Sequence, residues 1–225
     1  MEARKIFERI NSYVFYRIAM TIAIMLVVVL SSVLFDIQPL TAIMIVALAL
    51  LDDIPIMTIA YDNVRTAPVP VRWDMHRILA FSGIMGLMAT AQSFGLVLFG
   101  IEWMNDPAMM AKIPLNHGHL QTMLFLQLAA GGHMLLFVVR SCGSIVSQPL
   151  PAAQLFLAIV ATQIVAVLMC AFGILVPTLP WTLIGIVWVY VIVWTILTDL
   201  VKLAFYHSTA SPALETPLTA HTMSY

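Results

Sequence analysis

Charged residues are scarce in this chain. Asp, Glu, Lys and Arg supply only 9% of its 225 residues, where an ordinary soluble domain carries about 25%. The formal net charge is −1, and a chain with so little charge is excluded as a nucleic-acid binder. Only two cysteines are present, Cys142 and Cys170. They fall towards opposite ends of the chain's apolar stretches, too far apart for a disulfide. Nucleotide machinery is missing as well. There is no G-x-x-x-x-G-K-[ST] loop, no G-x-G-x-x-G fingerprint and no strand-turn-helix nucleophile elbow. His117 and His119 are one residue apart with no supporting ligand nearby, so no metal site is expected.

What remains is apolar. Hydrophobic residues make up 62% of the chain, and mean hydropathy is +1.00. A water-soluble globule of this composition lacks the polar surface to cover itself, and a disordered chain needs the opposite composition. Six stretches, 14–35, 38–60, 76–101, 119–140, 153–176 and 181–205, are each long enough to cross about 30 Å of hydrocarbon as a helix. A closed barrel would show alternating segments of about ten residues, and none occur. The first stretch is too long for a signal peptide, carries Arg17 inside, and is followed by no small-residue cleavage site. The expected fold is therefore all-α, a polytopic bundle of six transmembrane helices. Too few residues remain for a separate soluble domain.

Lysines and arginines set the orientation. Arg4, Lys5, Arg9, Arg17, Arg65, Arg72, Arg77, Arg140 and Lys202 fall on one side of an alternating six-helix arrangement, and Lys112 alone falls on the other. Both termini are expected in the cytoplasm. Residues 1–13 form either a charged flank or a helical stalk, with Ile6, Phe7 and Ile10 on one face and charges on the other. The transmembrane domain covers 14–205. The polar tail 206–225 is expected to be disordered.

Chemistry concentrates in ALALLDDIPIMTIAYDNV. Asp52 and Asp53 lie inside an apolar run, where a carboxylate costs at least about 2.5–3.5 kcal/mol, so both are candidate ion-binding residues. Pro55 cannot donate to the carbonyl of Leu51, and its ring crowds that turn. A break in the second helix is expected around residues 51–54, with freed carbonyls beside the two carboxylates, as cation transporters use. In a regular helix, neighbours point about 100° apart and cannot share one site; a break relaxes that limit. The rival reading is polar packing beside a water-filled vestibule. His133, in LAAGGHMLLF, is either a packing residue bonded to a neighbouring backbone or a proton relay. Arg17 is expected to snorkel to the inner interface, the alternative being to face an acidic residue in the bundle. Asp199 and Lys202 are spaced to pair on one helix face. Gln92, Gln127 and Gln163 are expected to bond between helices.

Several of these motifs occur together in one known family. IFERINSYVFYRIAMTIAI, LLDDIPIMTIAYDNV and V-R-T-A-P-V-P-V-R-W, in that order, resemble the fifth and sixth membrane helices of plasma-membrane proton-pumping P-type ATPases. The third piece is similar to the connection D-x-V-[KR]-x-x-P-x-P-x-x-W, carried here by Asp62, Val64, Arg65, Pro68, Pro70 and Trp73. FVVRSCGSIVSQPL and WVYVIVWTILTDLVKLAFY resemble the eighth-to-ninth connection and the tenth helix. The resemblance covers nearly the whole chain, as the C-terminal six of ten helices. It implies a proton-translocating membrane domain in the plasma membrane, embedded in the lipid bilayer and carrying H+.

Within that resemblance, Asp53 occupies the position of the proton acceptor, expected to be buried beside Pro55. Asp52 stands where plant and fungal members carry Asn. The family's fifth-helix Arg, a built-in counter-ion, is matched by Ala23, so another group must fill that role. The phosphorylation motif D-K-T-G, the T-G-E loop and the G-D-G-x-N-D hinge do not occur in the chain. The resemblance thus implies that Mg-ATP binds to cytosolic domains outside these residues, that the N-terminal half of such a pump is the partner, and that this chain alone does not hydrolyse ATP. The alternatives are a stand-alone six-helix channel, scaffold or regulator, and a cation-transporting P-type ATPase segment for an ion other than H+.

Overall fold

The computed structural model describes residues 2–64, 75–140, 143–145 and 150–209, with side chains described between Lys5 and Ser208. The proline-rich connection carrying Arg65, Pro68, Pro70, Arg72 and Trp73, together with Cys142 and residues 210–225 of the tail, lies outside the described residues. Among the described residues seven α-helices occur: α1 (Glu2–Phe35), α2 (Ala42–Thr58), α3 (Met75–Asn105), α4 (Pro107–Lys112), α5 (His117–Val139), α6 (Ala153–Phe172) and α7 (Trp181–Thr209). A 3-10 turn, Ile59–Tyr61, extends α2. Among the described residues six helices are long and apolar enough to cross a membrane. The short α4 is not one of them. The architecture is the expected all-α polytopic bundle.

Local sequence explains the boundaries. Neither Gly nor Pro occurs in the 34 residues of α1, and the charged start and the apolar span form one continuous helix. It stops where Asp36 turns left-handed at φ 53°, a conformation Asp tolerates better than most residues. Thr41 caps α2 by accepting from the Met44 N–H at 3.3 Å. Asp106 caps α4 through the Ala108 N–H at 2.8 Å, and Asn116 caps α5 through the His119 N–H at 2.7 Å. Each side chain satisfies a donor that a helix start leaves open. α6 ends four residues before the expected 176 because Gly173 adopts φ 71°. The Ile174 N–H then folds back to the Met169 carbonyl at 2.9 Å, a glycine stop available without Cβ strain.

α5 is the axis of the bundle. It packs against α1, α2, α3, α6 and α7. In its most apolar stretch 83% of residues are buried, against 28% in α1 and in α7. α1 and α3 form the most extensive helix pair. Gly86 makes that close approach possible: a Cβ there would lie 3.0 Å from the Ala19 carbonyl oxygen and 3.0 Å from Ile22 Cβ. Apolar packing forms two clusters, one including Met44, Leu96, Leu124 and Val187, and one including Tyr16, Phe81, Met85 and Leu136, the latter towards the end that the lysine and arginine bias predicts to be the inner one. They meet at the level of Asp52 and His133.

The inner end is tied by two buried ion pairs. Asp62 accepts from Arg140 at 2.8 Å (Nε to Oδ2) and 3.2 Å (Nη2 to Oδ1), and from the Ala152 N–H at 3.0 Å. The Asp62 carbonyl accepts from Arg9 Nε at 2.9 Å, so α1, the end of α2, α5 and α6 converge on one residue. Lys202 pairs with Asp199 at 2.6 Å, as their spacing predicts. Lys202 Nζ also donates to the carbonyls of Val138 at 3.0 Å and Gly143 at 2.6 Å, closing the end of α5. Asp199 in turn accepts from the Ser144 hydroxyl at 3.0 Å and the Ile145 N–H at 3.2 Å.

Candidate ion-translocation site

α2 sets the site, and its course corrects one expectation. The helix is not broken at residues 51–54: α-helical structure runs through Pro55 to Thr58 and only then tightens into the 3-10 turn. The missing bond is made good from outside. Pro55 leaves the Leu51 carbonyl without its i+4 donor, and His133 Nε2 lies 3.3 Å from that oxygen. Thr58 contributes on the next turn, its hydroxyl donating to the Pro55 carbonyl at 2.6 Å. Satisfied carbonyls let the helix continue in a region without water.

Because the helix stays regular, the two aspartates point different ways. Asp52 is buried, with 4% of the residue exposed, and its Oδ1 has no hydrogen-bond partner. Asp53 was expected to be buried; its side chain is instead 48% exposed. Asp53 lies eleven residues into α2, about 16 Å along the axis at 1.5 Å per residue, near the middle of a hydrocarbon layer about 30 Å thick.

Arg17 does not snorkel. Its Nη1 lies 3.1 Å from Asp53 Oδ1, and its side chain is 47% exposed. A guanidinium at membrane depth gains more from a facing carboxylate than from bending a long way to the interface. The pair sits between α1 and α2 on the flank of the bundle. Ala23, matched by position to the family's counter-ion, is fully buried and has no charge to offer.

His133 is fully buried and bonded through both ring nitrogens. Gln163 Nε2 donates to the Ala129 carbonyl at 3.1 Å and contacts His133 Nδ1 closely. An amide nitrogen has only hydrogens to give, so Nδ1 accepts and the ring proton resides on Nε2, facing Leu51. Asp52 Oδ1 lies 3.6 Å from the same Nε2. The packing reading of His133, a bond to a neighbouring backbone, therefore describes the geometry, and the choice of Leu51 gives that bond its purpose. Gln163 bonds between helices as expected. Its partner His133 and the Asp62–Arg140 pair were not foreseen as contacts. Nothing in residue spacing pairs positions 78 residues apart, although Asp62 and Arg140 each stood within a quoted motif. Tyr16, buried with an unpartnered hydroxyl, was also missed; it faces the α5 backbone, 3.3 Å from where a Cβ on Gly132 would lie.

Among the described residues no group of three or more His, Cys, Asp or Glu side chains is arranged to hold a metal ion. What the fold brings together is a carboxylate paired to a guanidinium, a second carboxylate sealed in the bundle, and a donor network reaching the Leu51 carbonyl just before them.

Comparison with known proteins agrees with this architecture. No family model matches the chain. It is 38% identical over 202 residues, 90% of its length, to a protein of Methanocaldococcus jannaschii named "Putative cation-transporting ATPase". It is 32% identical over 174 residues to "Plasma membrane ATPase 2" of Saccharomyces cerevisiae and 30% identical over 174 residues to "Plasma membrane ATPase" of Kluyveromyces lactis, each match covering 76% of the chain. The chain spans only 24%, 17% and 18% of the lengths of these three relatives. With six helices able to span a membrane and a carboxylate pair beside a helix proline, the chain belongs to the P-type ATPase family as a segment of its transmembrane region.

Proposed function

We propose that this segment is the proton-translocating part of a P-type H+-ATPase of the plasma membrane, with Asp53 as the carboxylate that takes up and releases the proton. The observation that carries this reading is the Arg17–Asp53 ion pair, 3.1 Å apart near mid-membrane. A guanidinium already neutralises that carboxylate, and a metal cation would have to bind beside a positive charge and find further oxygen ligands there. A proton asks for no coordination shell: when the pair separates, Asp53 becomes neutral by taking up H+, and when Arg17 returns, the ionised form is favoured and the proton leaves. Arg17 thus fills the counter-ion role left open at Ala23.

Two half-exposed charges at membrane depth need polar or protein cover. The N-terminal helices of the pump supply it in this reading, with phosphorylation in cytosolic domains moving α1 and α2 against them. α1 suits the part, since the helix from Glu2 is continuous with the span that carries Arg17.

The test is acidification of sealed vesicles containing a complete pump that carries this segment. Asp53→Asn keeps the size but removes the titratable proton, and transport should fall to background with the fold intact. Asp52→Asn places in this segment the residue found in plant and fungal members and should leave pumping largely unchanged. Proton transport by Asp53→Asn, or ATP-driven uptake of a metal cation with no pH change, would falsify the assignment.

A further inference from the structure

We infer that His133 is a positioning residue whose single Nε2–H alternates between the Leu51 carbonyl and the Asp52 carboxylate, so that the charge on Asp52 decides whether the carbonyl freed by Pro55 is held. The inference rests on the reading of this carboxylate pair as the ion-handling site, and goes beyond it by assigning Asp52 and His133 a task distinct from carrying the ion.

The geometry presents one donor to two acceptors on consecutive residues. His133 Nε2 is 3.3 Å from the Leu51 oxygen and 3.6 Å from Asp52 Oδ1. That carboxylate oxygen is buried and otherwise unpartnered, so a small tilt of the imidazole towards it displaces no other bond. The other side of the ring is fixed: Gln163 is anchored on the Ala129 carbonyl at 3.1 Å and occupies Nδ1. With the Nδ1 lone pair in use, the imidazole has no free site for a second proton. It acts as a donor, and no proton changes owner at the ring.

Charge on the acceptor chooses the partner. A hydrogen bond to an ionised group is roughly twice as strong as one between neutral groups. With Asp52 protonated, the Nε2–H stays on Leu51 and α2 keeps its continuity through Pro55. With Asp52 ionised, the Nε2–H swings to the carboxylate. The Leu51 carbonyl is then unheld, one turn before Pro55, and α2 gains a weak point next to Asp53. The other groups facing this spot are few. α1 brings Tyr16 and Arg17, α2 brings Asp53, and α6 brings the neutral Gln163. The ionisable residues of α3 are His76, Arg77 and Glu102, at its ends. Those of α7 near the inner end include Asp199 and Lys202, which are paired to each other.

The experiment uses the 225-residue chain, labelled with 15N-histidine and reconstituted into phosphatidylcholine vesicles. Solid-state NMR follows the His133 signal, identified by its loss in His133→Asn, across a pH series. Infrared difference spectra of the same samples follow the protonated Asp52 carboxyl, identified by its loss in Asp52→Asn. His133 should remain an Nε2–H imidazole throughout. Its Nε2–H proton resonance should move downfield in one step, in register with the disappearance of the Asp52 carboxyl band, and should stay fixed in Asp52→Asn. An imidazolium with both nitrogens protonated would overturn the inference, since the ring would then carry the proton itself. So would a His133 signal indifferent to the charge on Asp52, or an Asp52 carboxyl that never ionises. The wild-type series carries the test even where a variant fails to fold. No step measures transport, so an error about Asp53 as the carrier leaves a separate record.

Discussion

Asp52 and Asp53 are adjacent in the chain and occupy unlike surroundings. One is sealed against α5 beside a histidine; the other shares a half-exposed flank with Arg17. Their division of labour follows from the 100° between successive helix positions. The Arg17 pair also shows why a contact can matter more to function than to stability. Where water reaches it, as at the uncovered flank of the isolated chain, a pair with both side chains about half exposed is worth about 0–1 kcal/mol. Arg17→Leu should therefore barely shift thermal unfolding of the isolated chain in detergent micelles, while acidification by the complete pump should drop sharply. A large loss of stability with transport preserved would reverse the roles given to this pair.

Among the elements, α2 carries the site and the connection after it carries the load. Its proline would end many helices, yet α2 continues because His133 on another helix meets the freed carbonyl. Where α2 ends, Asp62 gathers α1, α5 and α6 through Arg9, Arg140 and the Ala152 N–H. The Asp62 and Arg140 side chains are almost fully buried, with 1% and 2% exposed. Removing one partner of such a pair leaves a buried charge without compensation, at about 3–5 kcal/mol. Asp62→Ala and Arg140→Ala should each destabilise the chain by that order in detergent unfolding. The double variant should cost well under the sum of the two. Additive single losses would mean that the two residues do not act as a pair.

At the scale of the molecule, the six helices among the described residues that are long enough to span would leave Glu2 and Thr209 on one side, and the bias of lysine and arginine predicts that side to be cytoplasmic. Single cysteines at Asn105 and at Ser208, in a background lacking Cys142 and Cys170, should respond differently to an impermeant thiol reagent added to sealed cells. Asn105, exposed at the outer end of α3, should be labelled; Ser208, exposed near the end of α7, should not. The reverse pattern would invert the bundle, and with it the direction in which Asp53 loads.

Much of this was legible in residue order. Hydropathy alone marks the six spans, because a helix crossing hydrocarbon must be apolar along a length set by the bilayer. The scarcity of charge in those spans makes Asp52, Asp53, Arg17 and His133 conspicuous, and the Asp199–Lys202 pair follows from helical spacing. What sequence does not encode locally is which neighbour satisfies an orphaned group. Pro55 announces a lost hydrogen bond, but whether the helix breaks depends on a donor 78 positions beyond it. Only the packing of α5 against α2 brings His133 to the Leu51 carbonyl and keeps the helix whole. The same packing decides that Asp52 faces inward and Asp53 outward, and the close α1–α3 contact at Gly86 helps fix α1, whose Arg17 reaches the carboxylate that α2 turns towards it.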